Sequence, residues 1–214
     1  MRHIIKKFPI LIFYLLRINI FLALLVFLLQ KNWLSAASAL SILLILSAPF
    51  YLKRRYQFYI PFEFEIVALI FIYLSVILGD WQKLYDKIWW WDIYLHLTSG
   101  ILLGLLGFFI LYLLNQNKGF KIKLRAGFVA LFSLTFAVTT GVLWEFFEYG
   151  TDYFFHTNMQ RSGLADTMWD LIMDFVGAFI ISSVGYLWMK ERLSFYFFDS
   201  TLKKFIKKNQ HFFE

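Results

Sequence analysis

The sequence predicts an all-α, polytopic membrane helix bundle of about six transmembrane helices with both termini cytoplasmic, and three observations predict it. Apolar residues make up 60% of the 214-residue chain and charged ones only 16%, a balance that would cover a water-soluble globule of this size in exposed hydrocarbon. Six apolar runs of about 19 to 23 residues, at 1.5 Å of helix rise per residue, match a hydrocarbon core of roughly 30 Å. Lysine and arginine alternate between the connecting segments, abundant in one and scarce in the next.

The runs cover residues 9–29, 33–52, 60–78, 92–114, 126–147 and 169–189. The first follows a basic stretch and precedes the small residues Ser35 to Ala39, as in a secretory signal. It is longer than the usual apolar region of such signals, so it is expected to persist as a span, with Arg17 and Asn19 as polar glue inside it. The second span ends at Lys53-Arg54-Arg55, and the third opens with Glu63 and Glu65 near the same interface. The fourth begins behind Trp89-Trp90-Trp91, which reads as an interfacial aromatic belt. Residues 1–192 are expected to form one transmembrane domain. Residues 193–214, which alternate aromatics with lysine, form a cytoplasmic tail that either lies on anionic lipid or is a frayed basic end.

With the N-terminus inside, 16 of the 21 basic residues fall on the cytoplasmic side: Arg2, Lys6, Lys7, Lys53, Arg54, Arg55, Lys118, Lys121, Lys123, Arg125, Lys190, Arg192, Lys203, Lys204, Lys207 and Lys208. The outer loops hold Lys31, Lys83, Lys87 and Arg161. The net charge of +7 thus belongs to the inner face of a membrane, and the expected partners are membrane lipids rather than nucleic acid. The absence of cysteine excludes disulfides, thiolate metal sites and a cysteine nucleophile. No phosphate-binding glycine motif occurs.

The acids are distributed in the opposite sense. Asp80, Asp86, Asp92, Glu145, Glu148, Asp152, Asp166, Asp170 and Asp174, nine of the 14, fall in the outer loops or the outer ends of the last three spans. Ionisable groups at membrane depth are costly unless they face partners, water or a metal, so this clustering marks a candidate site. Asp92 and His96 share a helix face, as do Glu145 and Glu148, and Asp166, Asp170 and Asp174 form one stripe. Each face continues into small residues that permit close helix approach: Gly100, Gly104 and Gly107; Ser133, Ala137 and Gly141; Gly177, Ala178, Ser182 and Gly185. The expected core set is Asp92, His96, Glu145, Glu148, Asp170 and Asp174, with Gln160, Arg161 and Asp166 binding substrate and Asp152 and His156 in the outer loop. Asp92, Asp166 and Asp170 also suit plain helix caps, and Glu145 and Asp174 suit protonated, hydrogen-bonded packing.

Carboxylate oxygens with one imidazole favour a hard or borderline divalent cation, Mg, Mn, Ca or Zn, with His96, Glu145, Glu148, Asp170 and Asp174 as candidate ligands and Asp92 orienting His96. Di-iron chemistry normally needs Glu-x-x-His pairs, absent here, and Ser99 beside His96 lacks an oxyanion arrangement. Two function classes fit: a metal-dependent enzyme acting on lipid or lipid-linked headgroups, with Arg161 on the anionic part, or a transporter or sensor of a cation, proton or amine headgroup. A purely structural role stands behind both.

The pieces Trp90-Trp91-Asp92 with His96 and Ser99-Gly100, Trp144-Glu145 with Glu148, and Met159-Gln160 leading to Asp166-Thr167-Met168, Asp170-Leu171 and Gly177-Ala178 resemble the YjdF-like family of bacterial inner-membrane proteins. The likeness covers roughly residues 60–190 and implies a multi-pass protein of the bacterial cytoplasmic membrane in which these positions belong together. It implies no particular activity. Gln160, Arg161, Asp166, Asp170 and Gly177 are also loosely similar to VanZ-like proteins, which are linked to glycopeptide tolerance.

Overall fold

A computed structural model describes residues 2–116 and 123–213, without the side chains of residues 2–10 and Phe197. Lys118 and Lys121 of the expected inner loop, and the side chains of Arg2, Lys6 and Lys7, lie outside what is described. Every regular element among the described residues is helical: α1 Arg2–Leu29, α2 Trp33–Tyr56, α3 Phe62–Ile72 with a π-helical continuation Tyr73–Trp81, the short α4 Leu84–Lys87, α5 Trp91–Gln116, α6 Ala126–Phe155, α7 Leu164–Met189, α8 Tyr196–Lys208 and a 3-10 turn Gln210–Phe212. Six helical stretches are long and apolar enough to cross a bilayer: Leu11–Leu29, Trp33–Tyr56, Phe62–Trp81, Trp91–Gln116, Ala126–Phe155 and Leu164–Met189. Large apolar side chains such as Leu15, Leu44, Phe146 and Phe179 are exposed while His96, Glu145, Asp170 and Asp174 are buried. That distribution suits a protein whose surrounding solvent is lipid.

The helices outrun the apolar stretches at α1, which starts at Arg2 rather than 9, at α6, which extends from the expected end at 147 to Phe155, and at α7, which starts at Leu164 rather than 169. Hydropathy ends at the first charged turn, but backbone hydrogen bonding does not. Glutamate is a good helix former, and the extra turns carry Glu148, Asp152 and Asp166 on ordered backbone.

The chain forms two compact units. One comprises Met1–Leu84 with Lys207–Asn209. In it Phe13, Ile20, Ala39, Ile42, Leu46, Leu69 and Ile77 form the core. Arg17, inside the first span, donates to the Leu46 carbonyl at 2.8 Å and to Ser47 Oγ at 3.3 Å, which satisfies a charge that lipid would not solvate. Asn32 caps α2 by accepting from the Ser35 N–H at 3.2 Å. Asn209 accepts from the Tyr59 N–H at 2.7 Å and donates to its carbonyl at 2.9 Å, pairing as a neighbouring strand would.

The other unit, Tyr85–Ile206 with Gln210–Glu214, is built on α5, α6 and α7. Glycines set how near these helices come. A Cβ on Gly177 would strike the Leu97 carbonyl, and one on Gly100 would strike that of Asp174, so α5 and α7 cross almost backbone to backbone. Ser133 on α6 donates to the Gly104 carbonyl at 2.7 Å. At the far end Phe198 of α8 is buried against Phe108, Phe109 and Trp188. The tail is therefore helical over Tyr196–Lys208, with Phe198, Leu202 and Phe205 inward and Lys203, Lys204, Lys207 and Lys208 exposed.

Candidate functional site

Asp92, His96 and Ser99 come from the first turns of α5, Thr167, Asp170 and Asp174 from the N-terminal half of α7, and Glu145 and Glu148 from the C-terminal half of α6. Helical periodicity turns each set onto one face, and the glycine contacts press those faces together. Among the core candidates His96, Glu145, Glu148, Asp170 and Asp174 are buried, while Asp92 is partly open.

His96 is the centre of the arrangement. Its Nδ1 lies 3.2 Å from Asp174 Oδ2, and the other oxygen of Asp174 accepts from the Ser99 hydroxyl. Ser99 also bonds the His96 carbonyl at 2.8 Å. Gly141 of α6 backs the same carboxylate, since a Cβ there would strike Asp174 Oδ2. Asp174 is thus held on three sides and fixes the ring plane and tautomer of the histidine, as carboxylates do behind metal-ligating or general-base imidazoles. The opposite nitrogen, Nε2, faces Asp92 Oδ1 at 3.7 Å and Asp170 Oδ1 at 3.9 Å. One ligand atom from each of Asp92, His96 and Asp170 lies within 4.8 Å of the others. Two ligands about 2.1 Å from a shared cation sit about 3.0 to 3.4 Å apart, so both imidazole–carboxylate separations are wider than a shared ion would set by roughly half an ångström.

Glu145 is only 3% exposed, and among the described residues neither carboxylate oxygen has a partner at hydrogen-bonding distance. It lies within electrostatic reach of His96, Asp174 and Asp166, with the Thr167 hydroxyl beside it. A buried carboxylate without donors is costly as an anion, and it calls for a proton or a cation. Glu148, one turn on, accepts from Trp144 Nε1 at 2.8 Å.

The candidates of the α6–α7 connection are placed differently. Asp152 accepts from the Thr157 hydroxyl, from the Met159 N–H at 2.7 Å and from the Gln160 N–H at 2.9 Å, so it ties the α6–α7 loop to its own helix end. His156 is exposed and closes α6 in the left-handed conformation, φ 54°. Gln160 donates to the Thr167 hydroxyl at 2.9 Å. Arg161 pairs with Asp86 at 3.3 Å and stacks over Tyr85, while its charge reaches Asp92 and Asp166. Sequence reasoning weighed Ser99 as a nucleophile and, although Thr167 and Trp144 fall within the family-like pieces, gave neither a role in the site. Their signal was positional: Ser99 follows His96 by three residues, and Thr167 precedes Asp170 by three and Asp174 by seven.

A family described as Predicted membrane protein (DUF2238) matches residues 11–191. The chain belongs to this family. It is the YjdF-like family whose pattern the Trp90 to Ala178 pieces resemble, and the DUF2238 match takes in all six spans; the VanZ likeness finds no support among these matches. An uncharacterized protein of Thermotoga maritima is 28% identical over 127 residues, which cover 59% of this chain and 64% of that relative. No solved structure matches. The DUF2238 member described here is a multi-pass membrane protein, and its family assignment carries no activity.

Proposed function

We propose that this protein is a divalent-cation-dependent enzyme of the bacterial cytoplasmic membrane that acts on lipid or lipid-linked headgroups at the outer leaflet. The carrying observation is His96: Nδ1 is tied to Asp174 while Nε2 points between two carboxylate oxygens at 3.7 and 3.9 Å. In this reading Asp92, His96 and Asp170 hold the ion, Asp174 orients the ring, and Glu145 is the general base. When bound, the ion would lower the proton affinity of a water and polarise an ester oxygen. Glu145 takes the proton of the attacking water, the headgroup bond breaks, and the proton returns to the leaving oxygen. The outer-leaflet assignment rests on the lysine and arginine asymmetry, with both termini inside.

A second reading, a site that binds a cation or proton for transport or sensing, is favoured by Glu145, whose bare carboxylate could load and release a cation. Purified protein, analysed for co-purified metal and titrated with manganese, tests the shared part. Retention of about one equivalent of metal, weakened about 10-fold or more in Asp170→Asn and His96→Gln, supports the cation site. No metal and no stabilisation by Mg, Mn, Ca or Zn would sink it. Incubation of the metal-loaded protein with phospholipid vesicles then separates the two readings. Headgroup release that is lost in Glu145→Gln supports the enzyme, and binding without turnover supports transport or sensing.

A further inference from the structure

Arg161 sits at the rim of the cation cluster on an unusually firm mount. Asp152 binds the two preceding backbone N–H groups, and Gln160 is anchored to Thr167. The guanidinium carbon stands 4.6 Å over the Tyr85 ring, a cation–π contact, and Nη1 meets Asp86 Oδ1 at 3.3 Å. The two partners of that ion pair are unlike. The Arg161 side chain is 26% exposed, whereas that of Asp86 is 65% exposed on the four-residue helix α4. A pair with so exposed a carboxylate is weak and exchangeable, while a planar guanidinium placed over an aromatic ring keeps a fork of N–H donors suited to two parallel bonds to a tetrahedral oxyanion. Its charge also acts inward on Asp92 and Asp166, so an anion docked there lies next to the cluster.

We propose that Arg161 is the phosphate-binding residue of this site, that the substrate class is a phosphate ester, and that Asp86 is a built-in competitor which the phosphate displaces. The proposal rests on the reading of Asp92, His96 and Asp170 as a cation site for its catalytic meaning, but phosphate binding can be measured without it. A phosphate oxyanion could arrive on a lipid headgroup or on a soluble ester, and the two differ in whether an acyl chain is needed.

The test uses the full chain in a non-ionic, phosphate-free detergent. Inorganic phosphate and dihexanoyl phosphatidic acid are titrated calorimetrically with and without manganese, and manganese binding is read separately by electron paramagnetic resonance. Wild type is expected to bind at least one probe, with affinity reduced about 10-fold or more in Arg161→Gln and partly retained in Arg161→Lys. Asp86→Asn should bind about three-fold or more tightly, because its competitor charge is gone. A misfolded variant cannot show that gain, so Asp86→Asn keeps the proposal exposed even if Arg161→Gln fails to fold. Binding of phosphatidic acid alone identifies a lipid headgroup, and equal binding of inorganic phosphate identifies a soluble ester. Absence of binding to either probe, unchanged affinity in Arg161→Gln, or weakened binding in Asp86→Asn would overturn the proposal. Arg161-dependent binding in protein that takes up no manganese would uphold it while sinking the cation site, and manganese uptake without an Arg161 effect would do the reverse.

Discussion

Replacing Gly141 with alanine tests whether the buried carboxylate of Asp174 is held as tightly as its surroundings imply. The added Cβ would strike Asp174 Oδ2 and lie 3.0 Å from Cγ and 3.3 Å from Cβ of the same side chain. Relief of the Oδ2 contact to ordinary van der Waals distance needs a displacement of roughly one ångström, against a carboxylate pinned by Ser99 and by His96 Nδ1 at 3.2 Å. That displacement exceeds the margin by which the His96 bond lies inside hydrogen-bonding range. Overpacking of this kind costs about 1–3 kcal/mol, and loss of the residue that orients a ligating histidine lowers metal affinity about 10- to 100-fold. Gly150 on the same helix is the control, because a Cβ there meets nothing within 4 Å. Its alanine variant should be neutral or stabilised by roughly 0.5–1 kcal/mol through helix propensity. Thermal unfolding in detergent and manganese titration would be run on both variants. Wild-type behaviour of Gly141→Ala in both assays would refute the cradle described here.

Three further outcomes follow from other parts of the molecule. Single cysteines at Ser200 and Asn158 of this cysteine-free chain should respond oppositely to an impermeant thiol reagent on intact cells, and labelling at Ser200 but not Asn158 would invert the proposed topology. Asp152→Ala removes the acceptor of three donors, so it should cost about 1–3 kcal/mol and accelerate hydrogen exchange over residues 157–160; unchanged exchange there would show that the loop is held by something else. Asn209→Ala deletes both bonds to the Tyr59 backbone, at about 1 kcal/mol each, and a melting temperature equal to that of wild type would deny the contact any weight.

The number of spans, the helical class and the three polar faces were legible in the sequence because each depends on a segment taken alone. An apolar run of sufficient length must bury its backbone hydrogen bonds in a helix whatever its neighbours do. Asp92 and His96, or Asp170 and Asp174, share a face by spacing alone. The apolar runs stop short of the ends of α6 and α7 because hydropathy reports side-chain transfer, whereas helix termination is set by backbone and caps, here His156 at φ 54° and Gly163 at φ 67°.

The candidate ligand set shows where a one-dimensional reading stops. Glu145, Glu148 and Asp174 entered it by residue type, yet tertiary packing gave them different surroundings. Asp174 lies behind His96 with Ser99, Glu148 is engaged by Trp144, and Glu145 has only the Thr167 hydroxyl beside it among the described residues, beyond hydrogen-bonding distance. Asp92, expected to orient His96, instead faces the same nitrogen as Asp170. A helix turns about 100° per residue, so the partner that a side chain meets depends on crossing geometry and rotation to within a fraction of that angle. Those are set where Gly100, Gly141 and Gly177 let another helix's backbone or carboxylate come close. Composition and periodicity determined that this protein is a six-span membrane protein with acids on three faces. Contact across those faces, decided only in three dimensions, made one carboxylate an orienting group and left another bare.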